Sequence, residues 1–191
     1  MIATTIATCH RLSRIASTPG LNRVVGRFYG VGVGPGDPEL LTIKAHRLLR
    51  TVDAICFTQL DDGRESYALR VIQGYLGEAK PELISITVGS DDTPVTQETW
   101  DNTAISIGRR LREGRDVAFI TEGDPMLYSE FSYLLDSVRA VVPEVAIEVV
   151  PGISSILAAA SSAEVPLVTH GQRLAILPAV YGIDDLREAI T

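Results

Sequence analysis

From Arg27 onward the chain alternates short apolar runs with longer stretches in which apolar side chains recur at helical spacing. The run at 27–33 reads as a strand that ends in glycines. Leu40, Leu41, Ile43, Ala45, Leu48 and Leu49 then mark one face of a helix, and 54–57 is a second apolar strand. The same alternation predicts a helix over 66–76, an extended segment at 82–86, a helix over 97–112, a strand at 117–121, a helix near 127–138 and a strand at 145–150. Strands separated by helices join most simply as β-α-β units. The pattern therefore predicts an α/β fold, a mainly parallel sheet with helices on both faces.

After Val150, Pro151 and Gly152 precede an Ala/Ser-rich helix. Residues 164–167 read as a linker, 174–177 as one more strand and 184–190 as one more helix. One strand and one helix are too little to bury a second core. The expected organisation is an N-terminal extension at 1–26 that is poorly ordered, an α/β domain at 27–150, a helix and linker at 151–170, and the start of an incomplete second α/β domain at 171–191.

Composition narrows the classes. The 191 residues are 46% hydrophobic and 21% charged, the profile of a folded chain and not of a disordered one. No uncharged apolar run approaches the roughly 18–20 residues that a membrane helix needs, so no membrane span is expected. Seventeen basic against 24 acidic residues give a net charge of −7, which repels a phosphate backbone and argues against nucleic acid as a partner. The charge is uneven. Residues 1–26 hold Arg11, Arg14 and Arg23 and no acid, the first being Asp37, which leaves 14 basic against 24 acidic residues in the remainder. That start has the composition of an organellar transit peptide; the alternatives are an untidy extension or a start codon placed too early. Cys9 and Cys56 lie far apart with no CxxC or Cys/His spacing, so neither a disulfide framework nor a metal site is expected, and a reducing cytoplasm fits best.

In an open parallel sheet, ligands bind beyond the carboxyl ends of the strands, and three loops there stand out. The first, Gly30-Val31-Gly32-Val33-Gly34-Pro35-Gly36-Asp37-Pro38-Glu39-Leu40-Leu41-Thr42, places glycines at alternate positions, with Asp37 as the expected cap of a helix starting near Glu39. Its spacing is not G-x-G-x-x-G and no Walker lysine follows, which disfavours a nucleotide-binding Rossmann site; a plain glycine-rich turn is the simpler alternative. In the second, Thr121-Glu122-Gly123-Asp124-Pro125-Met126-Leu127-Tyr128-Ser129, Asp124 before Pro125 has the form of a helix cap, and ligand contact is the other option. The third, Val150-Pro151-Gly152-Ile153-Ser154-Ser155, brings two hydroxyls to a helix N-terminus, a seat for a carboxylate. His46 reads as solvated, His10 lies in the N-terminal segment, and His170 is the histidine that could face a cleft.

Taken in this order, the three loops resemble the signatures of the tetrapyrrole (corrin/porphyrin) methylase family of S-adenosylmethionine-dependent methyltransferases, over about 27–191. The Tyr128-Ser129 ending, with Phe131 and Tyr133 after it, is most similar to the branch that methylates carbon 20 of precorrin-2 or its cobalt-containing counterpart. The resemblance implies a two-domain α/β homodimer, with S-adenosylmethionine in the cleft between domains and the tetrapyrrole in a trough above it. Carried over by position, it assigns cofactor binding to Pro35, Glu122, Gly123, Asp124, Leu127, Ser154 and Ser155, and substrate binding to Gly36, Asp37, Tyr128 and Ser129. The family's adenine-holding positions would fall beyond Thr191. Uroporphyrinogen methylases place an aspartate, proposed as a base, where Thr58 stands here, so no catalytic residue is assigned. Methylation at another corrin carbon and a truncated, inactive remnant are the alternatives.

Overall fold

A computed structural model describes residues 24–89 and 95–177; the acid-free leader up to residue 23 and the helix expected at 184–190 lie outside the described residues. Five strands, β1 (Arg27–Gly32), β2 (Ala54–Leu60), β3 (Glu82–Val88), β4 (Val117–Thr121) and β5 (Ala146–Val150), alternate with α1 (Ile43–Leu49), α2 (Tyr67–Ile72), α3 (Gln97–Arg112), α4 (Phe131–Val141) and α5 (Ser155–Ala163). The strands form one sheet in the order β3-β2-β4-β1-β5, and every pairing is parallel. The predicted α/β class is what the chain adopts.

The period of two along each strand divides the core. Phe28, Ala54, Cys56, Val117 and Phe119 point to one face, where α3 and α4 pack with Trp100, Ile107, Leu111, Phe131 and Leu134. Tyr29, Val31, Ile55, Phe57, Ala118 and Ile120 point to the other, covered by α1 and α2 through Ala45, Leu49, Val71 and Ile72. Phe131 anchors α4, its ring 5.8 Å from that of Phe28 and 6.1 Å from that of Phe119. Cys56 lies inside this core, and burial pushes its thiol up to about 12, leaving it an inert apolar filler.

Three expectations change. Pro38–Leu40 form a short 3-10 turn capped by Asp37, and α1 begins only after Thr42, whose hydroxyl accepts the Ala45 N–H at 3.1 Å; Asp37 thus caps the turn and not the long helix. The helix expected near 127 starts at Phe131 because Tyr128 takes a left-handed φ of 50°, which no helix continues through. Residues 174–177 are not a strand: they pair with no strand among the described residues, and a lone extended segment has no partner for its ladder.

Polar ties hold the amino ends of the strands, away from the glycine loops. Asp53 accepts the Asp116 N–H at 2.7 Å, Asp116 accepts the Arg27 N–H at 2.7 Å, and Glu82 at the start of β3 pairs with Arg110 and, at 2.8 Å, with Arg115. Hydrogen bonds from Arg110 and then Arg115 hold the Glu82 carboxyl down at about 2, against an ordinary 4.5. A depressed carboxylate stabilises the fold fully above its unfolded value and ceases to do so as pH falls through the folded one. Because the Glu82 side chain is 37% exposed, solvent screening limits the effect to about 1 kcal/mol. Thermal melts between pH 7 and 2 are expected to show Glu82→Gln less stable at neutral pH, with the gap to wild type closing as pH drops from 4.5 to about 2; a constant gap would remove the pair from the acid response.

Candidate functional site

The strand order sets where a crevice opens. The loop after β1 leaves toward the face carrying α1, and the loop after the adjacent β4 leaves toward the face carrying α4. Neighbouring loops that depart to opposite faces leave a gap at the carboxyl edge, the usual ligand position in such sheets. Here the gap is crossed by backbone. Gly123 N–H donates to Gly34 O at 2.8 Å, and Val33 N–H to Thr121 O at 2.9 Å. The third loop enters just as closely: a Cβ on Gly152 would stand 1.9 Å from Gly123 O, and one on Gly32 would stand 2.4 Å from the same oxygen. Only hydrogen fits at either position.

Asp124 locks this arrangement. One carboxylate oxygen accepts the Met126 N–H at 2.8 Å, closing the turn of its own loop, and the other accepts the Gly152 N–H at 3.0 Å from the third loop. It caps no helix among the described residues. Ser154 caps α5 by accepting the Ile156 N–H at 3.3 Å, which sets the N-terminus of that helix beside the same loops.

All seven residues assigned to the cofactor line one cavity of about 230 Å³, which Tyr128 and Ile156 complete. That volume lies below the roughly 300 Å³ at which pockets begin to enclose a drug-sized ligand. Two carboxylates stand in it. Burial, and then the charge of Glu130, push the Glu122 carboxyl above its ordinary range while Arg70 opposes them. Glu122 also lines a second cavity, of about 490 Å³, between the end of β2 and α2, where Thr58 stands.

The four residues assigned to substrate are not brought together. Tyr128 and Ser129 line a third cavity, also about 490 Å³, with Met126 and Tyr133, while Gly36 and Asp37 line none of the three. Tyr128, 63% exposed, donates from its hydroxyl to Ile176 O at 3.3 Å, so segment 174–177 reaches the second loop. Ser129 turns inward, its hydroxyl 3.2 Å from that of Thr121 and accepting the Phe131 N–H at 3.1 Å. His170 is exposed and lines none of these cavities. Ile156 and the polar wall formed by Arg64, Tyr67 and Arg70 escape a reading of the sequence. The Tyr67-Arg70 spacing, three apart on one helix face, is the signal that could have marked the wall.

Residues 27–191 match the family model described as Tetrapyrrole (Corrin/Porphyrin) Methylases. The chain belongs to this family. Within it, the chain is 40% identical over 159 residues to a protein of Methanocaldococcus jannaschii named "Probable cobalt-precorrin-2 C(20)-methyltransferase", covering 83% of this chain and 66% of the relative. It is 32% identical to the cobalt-precorrin-2 C(20)-methyltransferase of Salmonella typhimurium, covering 86% and 68%. A solved uroporphyrin-III-C-methyltransferase from Thermus thermophilus superposes with a TM-score of 0.55 at 32% identity, over 76% of this chain and 56% of that one. A structure of uroporphyrin-III C-methyl transferase from the same organism, complexed with S-adenyl homocysteine, gives 0.52 at 29% identity, over 76% and 51%. The chain thus spans about two thirds of these curated family members and just over half of the solved ones.

Two substitutions test the lock. Gly152→Ala forces backbone apart at 1.9 Å and is expected to lower the unfolding free energy by about 1–3 kcal/mol, the cost of overpacking. Asp124→Ala leaves the Gly152 N–H without its acceptor and is expected to cost about 1–3 kcal/mol. Urea titration measures both; unchanged midpoints would mean that the loops are not held by these contacts.

Proposed function

We propose that the chain carries the S-adenosylmethionine-binding half of a methyltransferase of corrin synthesis, acting on carbon 20 of precorrin-2 or its cobalt-containing counterpart. The observation that carries this reading is the meeting of three family loops, in order, around one cavity at the switch point of the sheet. The 40% identity to a relative named for that reaction supports the choice of substrate and carbon.

The residues fit such a donor. A sulfonium and an ammonium are cationic, and Glu122 and Asp124 give the cavity two acids. Ser154, Ser155 and the N-terminus of α5 offer donors to the ligand's carboxylate. Pro35, Leu127 and Ile156 supply apolar wall, and the side-chain-free contact of Gly32, Gly123 and Gly152 lets backbone come close to a bound molecule. The bound donor supplies an electrophilic methyl group. The protein's work is then to align: the loops hold one partner while the larger cavities receive the other, at the roughly 3–3.5 Å of a near-attack pair, with water kept out. Because the electrophile comes ready-made, no nucleophilic triad is required of the side chains.

The reading includes a cytoplasmic homodimer. Among the described residues no helix is long and apolar enough to cross a membrane, and Leu157, Val165 and Leu167 are exposed apolar side chains that a second copy would cover.

Isothermal titration with S-adenosylhomocysteine is expected to give a micromolar dissociation constant, weakened in Asp124→Ala; no heat and no thermal shift at millimolar ligand would overturn the cofactor assignment. Incubation of the chain with precorrin-2 and methyl-labelled S-adenosylmethionine is expected to place the label on carbon 20 by NMR. Label on another carbon would overturn the assigned position.

A further inference from the structure

The 490 Å³ cavity between the end of β2 and α2 shares Glu122 with the smaller cavity beside it, so a molecule filling one touches the wall of the other. Two cations line it, Arg64 and Arg70. They are not equivalent. Arg64 is already paired: its Nε lies 2.6 Å from Asp62 Oδ2, and its own N–H donates to Asp62 Oδ1 at 2.9 Å. Arg70 has no ion pair among the described residues, and its guanidinium rests over the ring of Tyr67, 4.8 Å from the centroid. A guanidinium beside an aromatic ring keeps its charge, and its planar fork of donors can take a carboxylate in two parallel hydrogen bonds.

Tyr67 is itself fixed from the glycine loop. Its hydroxyl donates to Pro35 O at 3.4 Å, and a Cβ on Gly36 would stand 2.0 Å from that hydroxyl. The absence of a side chain at Gly36 therefore makes room for the tyrosine that supports Arg70, and Pro35 belongs to the smaller cavity. The remaining charges that line the larger one are Glu65, Glu122 and Glu130. Glu65 stands just before the N-cap of α2. Glu122 after β4 and Glu130 at the N-cap of α4 repel a carboxylate from the other side, so an acidic group entering this cavity is drawn to Arg70, its unpaired cation among the described residues. The same two acids suit N–H donors on the rest of such a ligand.

We propose that Arg70 binds a carboxylate side chain of the substrate, and that this contact selects an acidic tetrapyrrole and sets its ring against the methyl-donor cavity. The proposal rests on the methyltransferase reading for the identity of the ligand. Its own content, a carboxylate-reading arginine on α2, is separately testable by binding.

The experiment titrates uroporphyrin, a water-soluble tetrapyrrole bearing eight carboxylates, into the full chain and follows porphyrin fluorescence. S-adenosylhomocysteine is titrated in parallel by calorimetry. The variants are Arg70→Gln, Arg70→Lys and, as a control on an exposed position of α4, Arg139→Gln. Arg70→Gln is expected to weaken uroporphyrin binding about 10- to 100-fold, the range for a charge-assisted hydrogen bond, with its melting temperature and S-adenosylhomocysteine affinity at wild-type values. Arg70→Lys, which keeps the charge without the fork, is expected to fall between, and Arg139→Gln to match wild type. Equal affinities for wild type and Arg70→Gln, or an equal loss in Arg139→Gln, would overturn the proposal. Wild-type chain that binds S-adenosylhomocysteine and not uroporphyrin would also overturn it and leave the cofactor reading standing. Uroporphyrin binding that depends on Arg70 without any S-adenosylhomocysteine binding would support the carboxylate site and remove the methyltransferase reading.

Discussion

The site depends on one constraint: three loops must pass within van der Waals contact of one another at the carboxyl edge of the sheet. Gly32, Gly123 and Gly152 meet there with the carbonyl of Gly123 at the centre, and a single methyl group on Gly32 or Gly152 would collide with it. Close approach of this kind is stable only if the backbone groups brought together are also satisfied. The Gly123 N–H finds Gly34 O, the Gly152 N–H finds the Asp124 carboxylate, and the same carboxylate closes its own turn through Met126. Geometry and hydrogen bonding therefore agree at Gly123 and Gly152. The cavity beside them inherits its shape from that agreement.

Charge is distributed along the strands with the same economy. At the amino ends, Asp53, Asp116 and Glu82 are used up in ties to backbone and to arginines, and they hold the edges of β1, β2, β3 and β4 in register. At the carboxyl ends the acids stand in cavities: Glu122 and Asp124 line the smaller one, and Glu122 and Glu130 line the larger one together with Arg70. A chain of net charge −7 thus does not present a uniform negative surface where it would receive a ligand. A cationic donor and an acidic acceptor can be read by adjacent walls, because the two cavities meet at Glu122.

Much of the fold was legible because successive residues of a strand face alternate helical layers, and that alternation is written directly into segments such as Ala54-Ile55-Cys56-Phe57 and Val117-Ala118-Phe119-Ile120. α3 begins and ends where its apolar spacing says it should, at Gln97 and Arg112. The errors fall where local signals compete. Asp37-Pro38 and Asp124-Pro125 both look like helix starts, yet Asp37 caps a 3-10 turn and Asp124 spends its second oxygen on another loop. Tyr128 turns left-handed inside an apolar run that otherwise reads as helix. The segment at 174–177 has strand composition and no strand to pair with among the described residues, so composition alone misleads.

Family membership was legible in the sequence because the three motifs are contiguous and stand in order, and the seven residues that share the small cavity were carried over by position from the family those motifs resemble. What tertiary structure decided is which residues from different loops share a space. That Asp124 reaches Gly152, that Tyr67 supports Arg70 while touching Pro35, and that Gly36 and Asp37 stand apart from Tyr128 and Ser129 are relations across 28, 32 and some ninety positions of sequence. The pattern of apolar and polar residues encodes only which way a side chain points from its own element. Distances between elements are set by the order β3-β2-β4-β1-β5, and that order is settled by packing both faces of the sheet at once.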